Sequence, residues 1–496
     1  MKVLFVCAEL YPFLKTGGLG DVAAGLPPAL KALGCDVRLL LPAFPALVNA
    51  AQKATLIAAL SAAPLPWGPA PKLTQADIVL ADFPGLDVPV YLLQAPALYQ
   101  RPGNPYLSPN GKDWADNALR FAALGWAGAQ LGLGLDAEWV PDVIHCHDWH
   151  AGLTPAYVRA FASAGQTVPA TVFTLHNLAY QGLFKAETFS MLGLPQTQFD
   201  QHGLEFYGQV SFMKAALQYA DRITTVSTTY AAEILSAPQG CGLEGVLRER
   251  AGVLTGILNG VDYAVWNPAT DDLLATPYDA DQLAGKAVAK QTLQMSFGLE
   301  PRASTLVLGV VSRLTAQKGL NLLPQLIGEL VQRGGQLALL GQGDAALEQA
   351  FSLAALQYPR QVGVRIGYDE VTAHRVMAGA DVIAVPSAYE PCGLTQLYGL
   401  RYGTLPLVRR VGGLADTVVD CTLENLDEGL ATGFVFDTLN ASGFLAALRR
   451  AFSLYHRPAE WAAVQRRGMA LRFDWTASAQ HYKAIYQSLR PMTSMR

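Results

Sequence analysis

The chain is predicted to be an α/β protein built from two parallel-sheet domains, and three observations lead there. Short apolar runs rich in Val, Leu and Ile alternate along the chain with longer helical segments. That alternation marks sheets covered by helices on both faces. The alternation pauses once, in a polar and helix-poor stretch at 267–281, so that two series result. Glycine-rich turns also follow strand-like runs in both series, which is where a parallel sheet binds its ligands.

In the first series the strand candidates are 3–7, 37–41, 88–93, 143–146, 171–175 and 222–226. In the second they are 306–311, 337–340, 363–366, 382–385, 405–408 and 433–436. Helical spacing of apolar residues appears at 22–33, 114–131, 154–164, 321–333, 345–356 and 442–455. Residues 43–86 are rich in Pro and Ala and carry no clear period. A helical segment ends near 252 and a strand begins at 254, which sets domains at 1–253 and 254–472. The closing segment, 473–496, carries a helix at 477–488 expected to pack back on the first domain.

Composition narrows the function. The 496 residues are 51% apolar and 15% charged, enough for two large cores. Net charge is −4 with no block of like charges, which argues against a basic nucleic-acid face. No apolar run approaches the roughly 20 residues of a membrane span. The apolar start is cut short by Glu9, too early for a secretory signal, so a cytoplasmic location is expected. Cysteines 7, 35, 146, 241, 392 and 421 lack CxxC spacing; most read as reduced structural residues, and Cys392 stands out for its neighbourhood.

The most informative motif is Lys15-Thr-Gly-Gly-Leu-Gly-Asp21. It joins a strand candidate to a helix candidate, and glycines, helix amides and a lysine together suit an anion. A Walker loop needs its lysine after the last glycine, so that reading fails. A dinucleotide loop fits as Gly18-x-Gly20-x-x-Ala23 but wants an acid at the end of the next strand. That strand ends in Leu41-Pro42, with Asp36 at its start. A tight turn without a ligand remains the plain alternative.

His145-Cys-His-Asp-Trp-His150 ends a strand candidate. A two-metal pattern would need Asp where Trp149 stands, so Asp148 and His150 read instead as cleft residues or as a cap on the helix beginning near 152. His176 and Asn177 follow the next strand in polar and aromatic company. Tyr106, Asp113, Trp114, Asp116 and Asn117 group aromatic faces with carboxylates and amides, a surface that suits carbohydrate. In the second series, Arg313 and Lys318 follow a strand and can flank one anionic group. Glu390 precedes a helix start at Gly393-Leu394-Thr395; it either caps that helix or holds a neutral polar substrate. No metal cluster and no pair of hydrolytic carboxylates is evident.

Taken together, these motifs resemble the bacterial glycogen synthases and related starch synthases, retaining glucosyltransferases of the two-Rossmann-domain GT-B type. The resemblance runs over almost the whole chain. It rests on Lys15-Thr-Gly-Gly-Leu-Gly-Asp21, His145-x-His-Asp-Trp-His150, His176-Asn-Leu-Ala-Tyr-Gln-Gly182, Asn259-Gly-Val-Asp262 with Trp266-Asn-Pro268, Ser312-Arg-Leu-x-x-Gln-Lys-Gly319 and Glu390-Pro-Cys-Gly-Leu-Thr-Gln396. The looser Glu-x7-Glu signature of other retaining transferases is broken by Leu397 and Tyr398.

The resemblance implies two domains facing across a cleft, with glucose passed from ADP-glucose to the non-reducing end of an α-1,4-glucan. It implies that Lys15, Gly17, Gly18 and Asp21 meet the nucleotide sugar, that Arg313 and Lys318 hold its diphosphate, and that Cys392, Gly393, Leu394 and Thr395 bind phosphate. Tyr368 would stack near the adenine, Asn259 would reach the donor, and Glu390 would grip glucose hydroxyls. His176 would sit beside the anomeric carbon, with Asp148 in support, and the acceptor would lean on Tyr106, Asp116 and Asn117. No cofactor and no metal is implied. With no evident nucleophile, retention points to attack from the leaving-group side, and closure would hinge near 253–260. The rivals are a nicotinamide oxidoreductase, a transferase using UDP-glucose and a non-catalytic glucan-binding homologue.

Overall fold

In the computed structural model, which describes residues 1–60, 76–489 and 492–493, the apolar run at the N-terminus becomes the middle strand of a large sheet. That strand, Lys2–Val6, lies between Asp36–Pro42 and Val143–His147 and runs parallel to both. The full order across the sheet is Leu254–Gly256, Arg222–Thr225, Ala170–Leu175, Val143–His147, Lys2–Val6, Asp36–Pro42, Leu86–Gln94, Asp77–Phe83 and Gln52–Ala59. The first seven run parallel; the last two join as antiparallel partners. The chain fills one side of the middle strand, then crosses to Val143–His147 on the other. The strand order therefore reverses between Lys2–Val6 and Val143–His147, and the carboxyl ends of these two strands mark where such a sheet takes ligands.

The chain divides into two units, Met1–Gly260 with Trp475–Arg496, and Val261–Asp474. The expected boundary at 253/254 is corrected by strand pairing. Leu254–Gly256 lies parallel to Arg222–Thr225, with Ile223 opposite Leu254, so it closes the first sheet rather than opening the second domain. The polar stretch that follows marks the end of strand–helix alternation, not the end of the sheet. The C-terminal helix Trp475–Ser488 belongs to the first unit. Its Trp475 fills the space above Gly25, where a Cβ would lie 2.0 Å from the indole nitrogen. Ser478 donates to the Leu258 carbonyl at 2.6 Å, and Lys483 to the Leu33 carbonyl at 2.6 Å.

The second unit holds six strands, all parallel, in the order Val362–Ile366, Gln336–Gly341, Val307–Val311, Val382–Val385, Leu405–Arg409 and Phe434–Phe436. Here the order reverses between Val307–Val311 and Val382–Val385. The motifs containing Arg313 and Glu390 follow these two strands.

Several elements differ from expectation for local reasons. The helix expected at 321–333 is broken into one-turn 3-10 pieces before Ile327–Gln332, because Pro324 supplies no amide and crowds the preceding turn. The helix expected from 114 begins at Asn117. Within 43–86, where periodicity is weak, the strands Gln52–Ala59 and Asp77–Phe83 pair with register shifts, which blur the alternation that a regular strand would show.

Candidate functional site

In the first unit, the turn after the middle strand is organised by a residue that sequence reasoning passed over. Glu9, only 2% exposed, accepts the backbone N–H of Thr16 at 2.8 Å and of Gly17 at 3.1 Å. Its carboxylate also accepts the hydroxyls of Thr16 and Tyr106. Of the loop's amides, those of Thr16 and Gly17 are thus turned onto an internal carboxylate, ahead of the helix that begins at Gly18. Gly17 has ordinary extended backbone, and a Cβ on Gly17 or Gly18 would meet no atom within 4 Å. The two glycines thus leave bare backbone facing open space. Lys15 pairs with Asp21 at 2.7 Å, which brings two expected site residues together. The sequence signal for Glu9 is an acid three residues beyond a buried strand.

At the end of the neighbouring strand Val143–His147, Asp148 takes a left-handed backbone (φ 57°). Its carboxylate accepts the N–H of His176 at 3.0 Å. No helix takes Asp148 as a side-chain cap, so that alternative is corrected. Burial pushes the Asp148 carboxyl up to about 7, against the backbone hydrogen bonds from His176 and Asn177 that favour its charge. His176 and His150 are pushed down to about 3 by burial and are neutral at pH 7. The His147 and His176 rings share a hydrogen bond of 3.0 Å, and His147 stacks on Phe5 at 3.8 Å. Among the described residues, no group of three or more His, Cys, Asp and Glu could hold a metal ion.

The expected acceptor residues separate into a surface and its support. Tyr106 stacks on His150 at 4.5 Å and donates its hydroxyl to Glu9. Asp116 is held by both terminal nitrogens of Arg101, at 2.8 and 2.6 Å. Asn117 is buried and donates to the Tyr106 carbonyl at 2.9 Å. Asp116 and Asn117 therefore hold the loop on which Tyr106 stands. Asn259, near the end of this unit, is buried with its Oδ1 lacking a hydrogen-bond partner.

In the second unit, the segments after the two strands at the order reversal line a pocket. Ser312, Lys318, Ser387, Glu390, Gly393, Leu394 and Thr395 are among its walls. Lys318 Nζ lies 2.6 Å from Glu390 Oε2, which also accepts the Ser387 hydroxyl at 2.8 Å. Glu390 therefore faces the pocket; the helix Thr395–Arg401 is capped by Leu394 without a side-chain hydrogen bond. Behind it, Gly412 (φ 43°) and Gly413 press against the carbonyls of Glu390 and Cys392, where a Cβ would come within 2.0 Å. That packing holds the Glu390–Gly393 turn. Cys392 is 6% exposed, with its carbonyl bound by Gln396 at 3.2 Å.

Arg313 is exposed and, among the described residues, has no ion-pair partner. Tyr368 is 58% exposed at the carboxyl end of Val362–Ile366, its hydroxyl 3.3 Å from Glu370. This unit therefore offers a lysine–glutamate pair, a second cation and an open aromatic ring at the carboxyl edge of one parallel sheet.

Residues 2–249 match the family model for the starch synthase catalytic domain, and residues 294–467 that for glycosyl transferases group 1. Over 491 residues and 99% of both chains, the protein is 73% identical to a glycogen synthase of Albidiferax ferrireducens. It is 54% identical, again over 99% of both, to one from Francisella tularensis subsp. novicida. The catalytic domain of starch synthase IV from Arabidopsis thaliana, solved with ADP and acarbose bound, superposes with a TM-score of 0.86 at 30% identity, covering 98% of each chain. A sucrose-phosphate synthase from Thermosynechococcus elongatus shares the fold alone, at a TM-score of 0.59 and 18% identity. Sheets and motifs of this kind define a glycosyltransferase of the GT-B fold, and its activity is that of a hexosyltransferase. The chain belongs to the bacterial glycogen synthase family. Among the described residues, no helix is long and apolar enough to cross a membrane.

Proposed function

We propose that the protein transfers glucose from ADP-glucose to the non-reducing end of an α-1,4-glucan, with retention at the anomeric carbon. The observation that carries this reading is the Lys318–Glu390 pair, 2.6 Å apart in a pocket at the order reversal of the second sheet. A lysine ammonium has three donors, so Lys318 can keep Glu390 and still meet a phosphate oxygen. Arg313 adds the second cation for the diphosphate. Glu390 has carboxylate lone pairs for glucose hydroxyls, and the turn Cys392–Gly393–Leu394–Thr395 offers backbone to the phosphates. Tyr368 offers its exposed face to the adenine. The ADP and acarbose bound in the Arabidopsis relative support a nucleotide and a glucan-like sugar as ligands.

The first unit supplies the rest. Lys15 and Asp21, with the bare backbone of Gly17 and Gly18, are assigned to the donor sugar, and the unpartnered Oδ1 of Asn259 is a free acceptor for a donor hydroxyl. Neutral His176 stands beside the anomeric carbon, its backbone held by Asp148. Tyr106 is the acceptor surface, with Asp116 and Asn117 holding its loop. As the C1–O bond to the diphosphate breaks, Arg313 and Lys318 take up the developing negative charge. The departing phosphate oxygen accepts the proton of the acceptor hydroxyl, which attacks from the same face and so retains configuration.

The test is direct. Incubation with labelled ADP-glucose and, separately, labelled UDP-glucose in the presence of glycogen is expected to place label in polymer from ADP-glucose. Label only from UDP-glucose overturns the donor assignment, and label from neither overturns the transferase reading.

A further inference from the structure

We propose that Glu9 is a positioning residue that couples the glycine loop at 15–20 to the loop carrying Tyr106, so that glucan bound against Tyr106 shapes the loop that meets the nucleotide sugar. This deepens the transferase reading above and rests on it.

A carboxylate as buried as Glu9 is costly unless fully hydrogen-bonded or paired with a cation. Among the described residues, no lysine or arginine pairs with it. Its charge is met by four donors instead. Oε2 takes the amides of Thr16 and Gly17, and Oε1 takes the hydroxyls of Thr16 and Tyr106. A carboxylate has about four lone-pair sites, so its capacity is used up. Hydrogen bonds to an ionised acceptor are the stronger kind, and each holds its donor in a defined place.

The consequence is a division of labour between the two oxygens. Oε2 sets the backbone of the glycine loop. Oε1 ties that same loop to Tyr106, which lies 97 residues from Glu9 in sequence. Tyr106 is in turn braced by His150 beneath its ring and by Asn117 at its carbonyl. A shift of the Tyr106 ring therefore reaches Thr16 and Gly17 through one rigid group. Nothing in the assigned chemistry uses Glu9 directly; its effect is on the loop.

The structure also supplies variants that separate coupling from simple bracing. Glu9→Gln can keep a carbonyl oxygen toward the two amides while placing an NH2 donor where the two hydroxyls donate. The loop backbone keeps its acceptor, and the link to Tyr106 is weakened from a charge-assisted bond to a neutral one in which the hydroxyl oxygen accepts. Tyr106→Phe breaks the same link from the other side and leaves the ring in place, which also serves if Glu9→Gln folds poorly.

The experiment is hydrogen exchange of the peptide containing residues 15–20, with and without a maltooligosaccharide, on the full chain. In the wild type, the oligosaccharide alone is expected to slow exchange about threefold or more. In Tyr106→Phe it is expected to have no effect and in Glu9→Gln a smaller one than in the wild type, and both variants are expected to melt somewhat lower while staying folded, since each weakens the bonding of a buried group. Paired initial rates are expected to show the donor KM falling about fivefold at saturating glucan in the wild type, within the usual range of site–site coupling. Tyr106→Phe should show no such fall and Glu9→Gln a smaller one, and the double variant should behave as Tyr106→Phe alone. Equal slowing in wild type and variants, or none in the wild type, overturns the proposal. The exchange measurement needs no glucosyl transfer, so its failure is distinguishable from failure of the transferase reading.

Discussion

Single side chains carry the charge chemistry, and the second unit allocates it unevenly. Lys318 is tied to Glu390, whereas Arg313 is exposed and unpaired among the described residues. Both are assigned to the diphosphate, where preorganised donors act on charge that develops in the transition state. Arg313→Ala and Lys318→Ala are each expected to lower kcat by about 10²–10³, the range for losing one such donor. Lys318→Ala also strips a buried carboxylate of its cation, so it is expected to lose stability that Arg313→Ala keeps. Cys392→Ser is the control, since the thiol is buried and the change is nearly isosteric; its kcat should stay within a few-fold. Steady-state kinetics with a parallel thermal melt checks all three, and wild-type kcat in both cation variants would remove their role. The sequence made Arg313, Lys318 and Glu390 visible because each stands in a distinctive motif. It left Glu9 unmarked, because a lone acid after a strand belongs to no motif; its donors come from residues 16, 17 and 106.

At the scale of elements, the glycine turns separate into two kinds that look alike in sequence. Gly412 has a left-handed backbone, and a Cβ there would lie 2.0 Å from the Glu390 carbonyl. Gly17 and Gly18 have neither constraint. Gly412→Ala is therefore expected to destabilise the protein by about 1–3 kcal/mol or more, from backbone strain with a clash added. Gly17→Ala and Gly18→Ala should leave the melting temperature nearly unchanged, since only open space receives the new methyl. If the bare backbone meets the donor sugar, these two variants should instead raise the donor KM. Thermal melts and donor titrations on the three variants decide the matter, and wild-type kinetics in both loop variants would end the donor assignment for that turn. Most elements were legible from apolar period alone, as with Ala345–Gln357 and Ala441–Tyr455. The exceptions have nameable causes: Pro324 within a helical pattern, and bulged pairing in the antiparallel edge of the first sheet.

For the whole molecule, titration is distributed unequally between the two units. His145, His147, His150 and His176 all lie in the first unit, and burial lowers the affinity of each for a proton. An unfolded histidine takes up its proton near pH 6.5, whereas His150 and His176 in the fold wait until about 3. The unfolded chain thus binds more protons through this window, and stability falls with pH by up to about 1.4 kcal/mol per pH unit per histidine. Asp148 works in the opposite sense, because its raised value lets the folded state bind a proton first below about 7. One carboxyl against four histidines leaves a net loss. In the second unit, buried Lys286 is pushed down to about 7, so its contribution is lost between about 10.4 and 7 and is flat below. Acidification from pH 6.5 to 4 is therefore expected to open Met1–Gly260 with Trp475–Arg496 before Val261–Asp474, as read by limited proteolysis with peptide mapping. Earlier opening of the second unit would contradict the assignment. The sequence by itself determined the α/β class, most strands and helices and the family, and it singled out the charged residues proposed for the site, because these depend on local period and on contiguous motifs. Only the tertiary structure decided that Leu254–Gly256 completes the first sheet, that the C-terminal helix lies in that unit, and that the glycine turn is built on Glu9. The first two depend on partners far apart in the chain and the third on irregular loop hydrogen bonds seven and eight residues on, and neither kind leaves a periodic trace in the residues that make it.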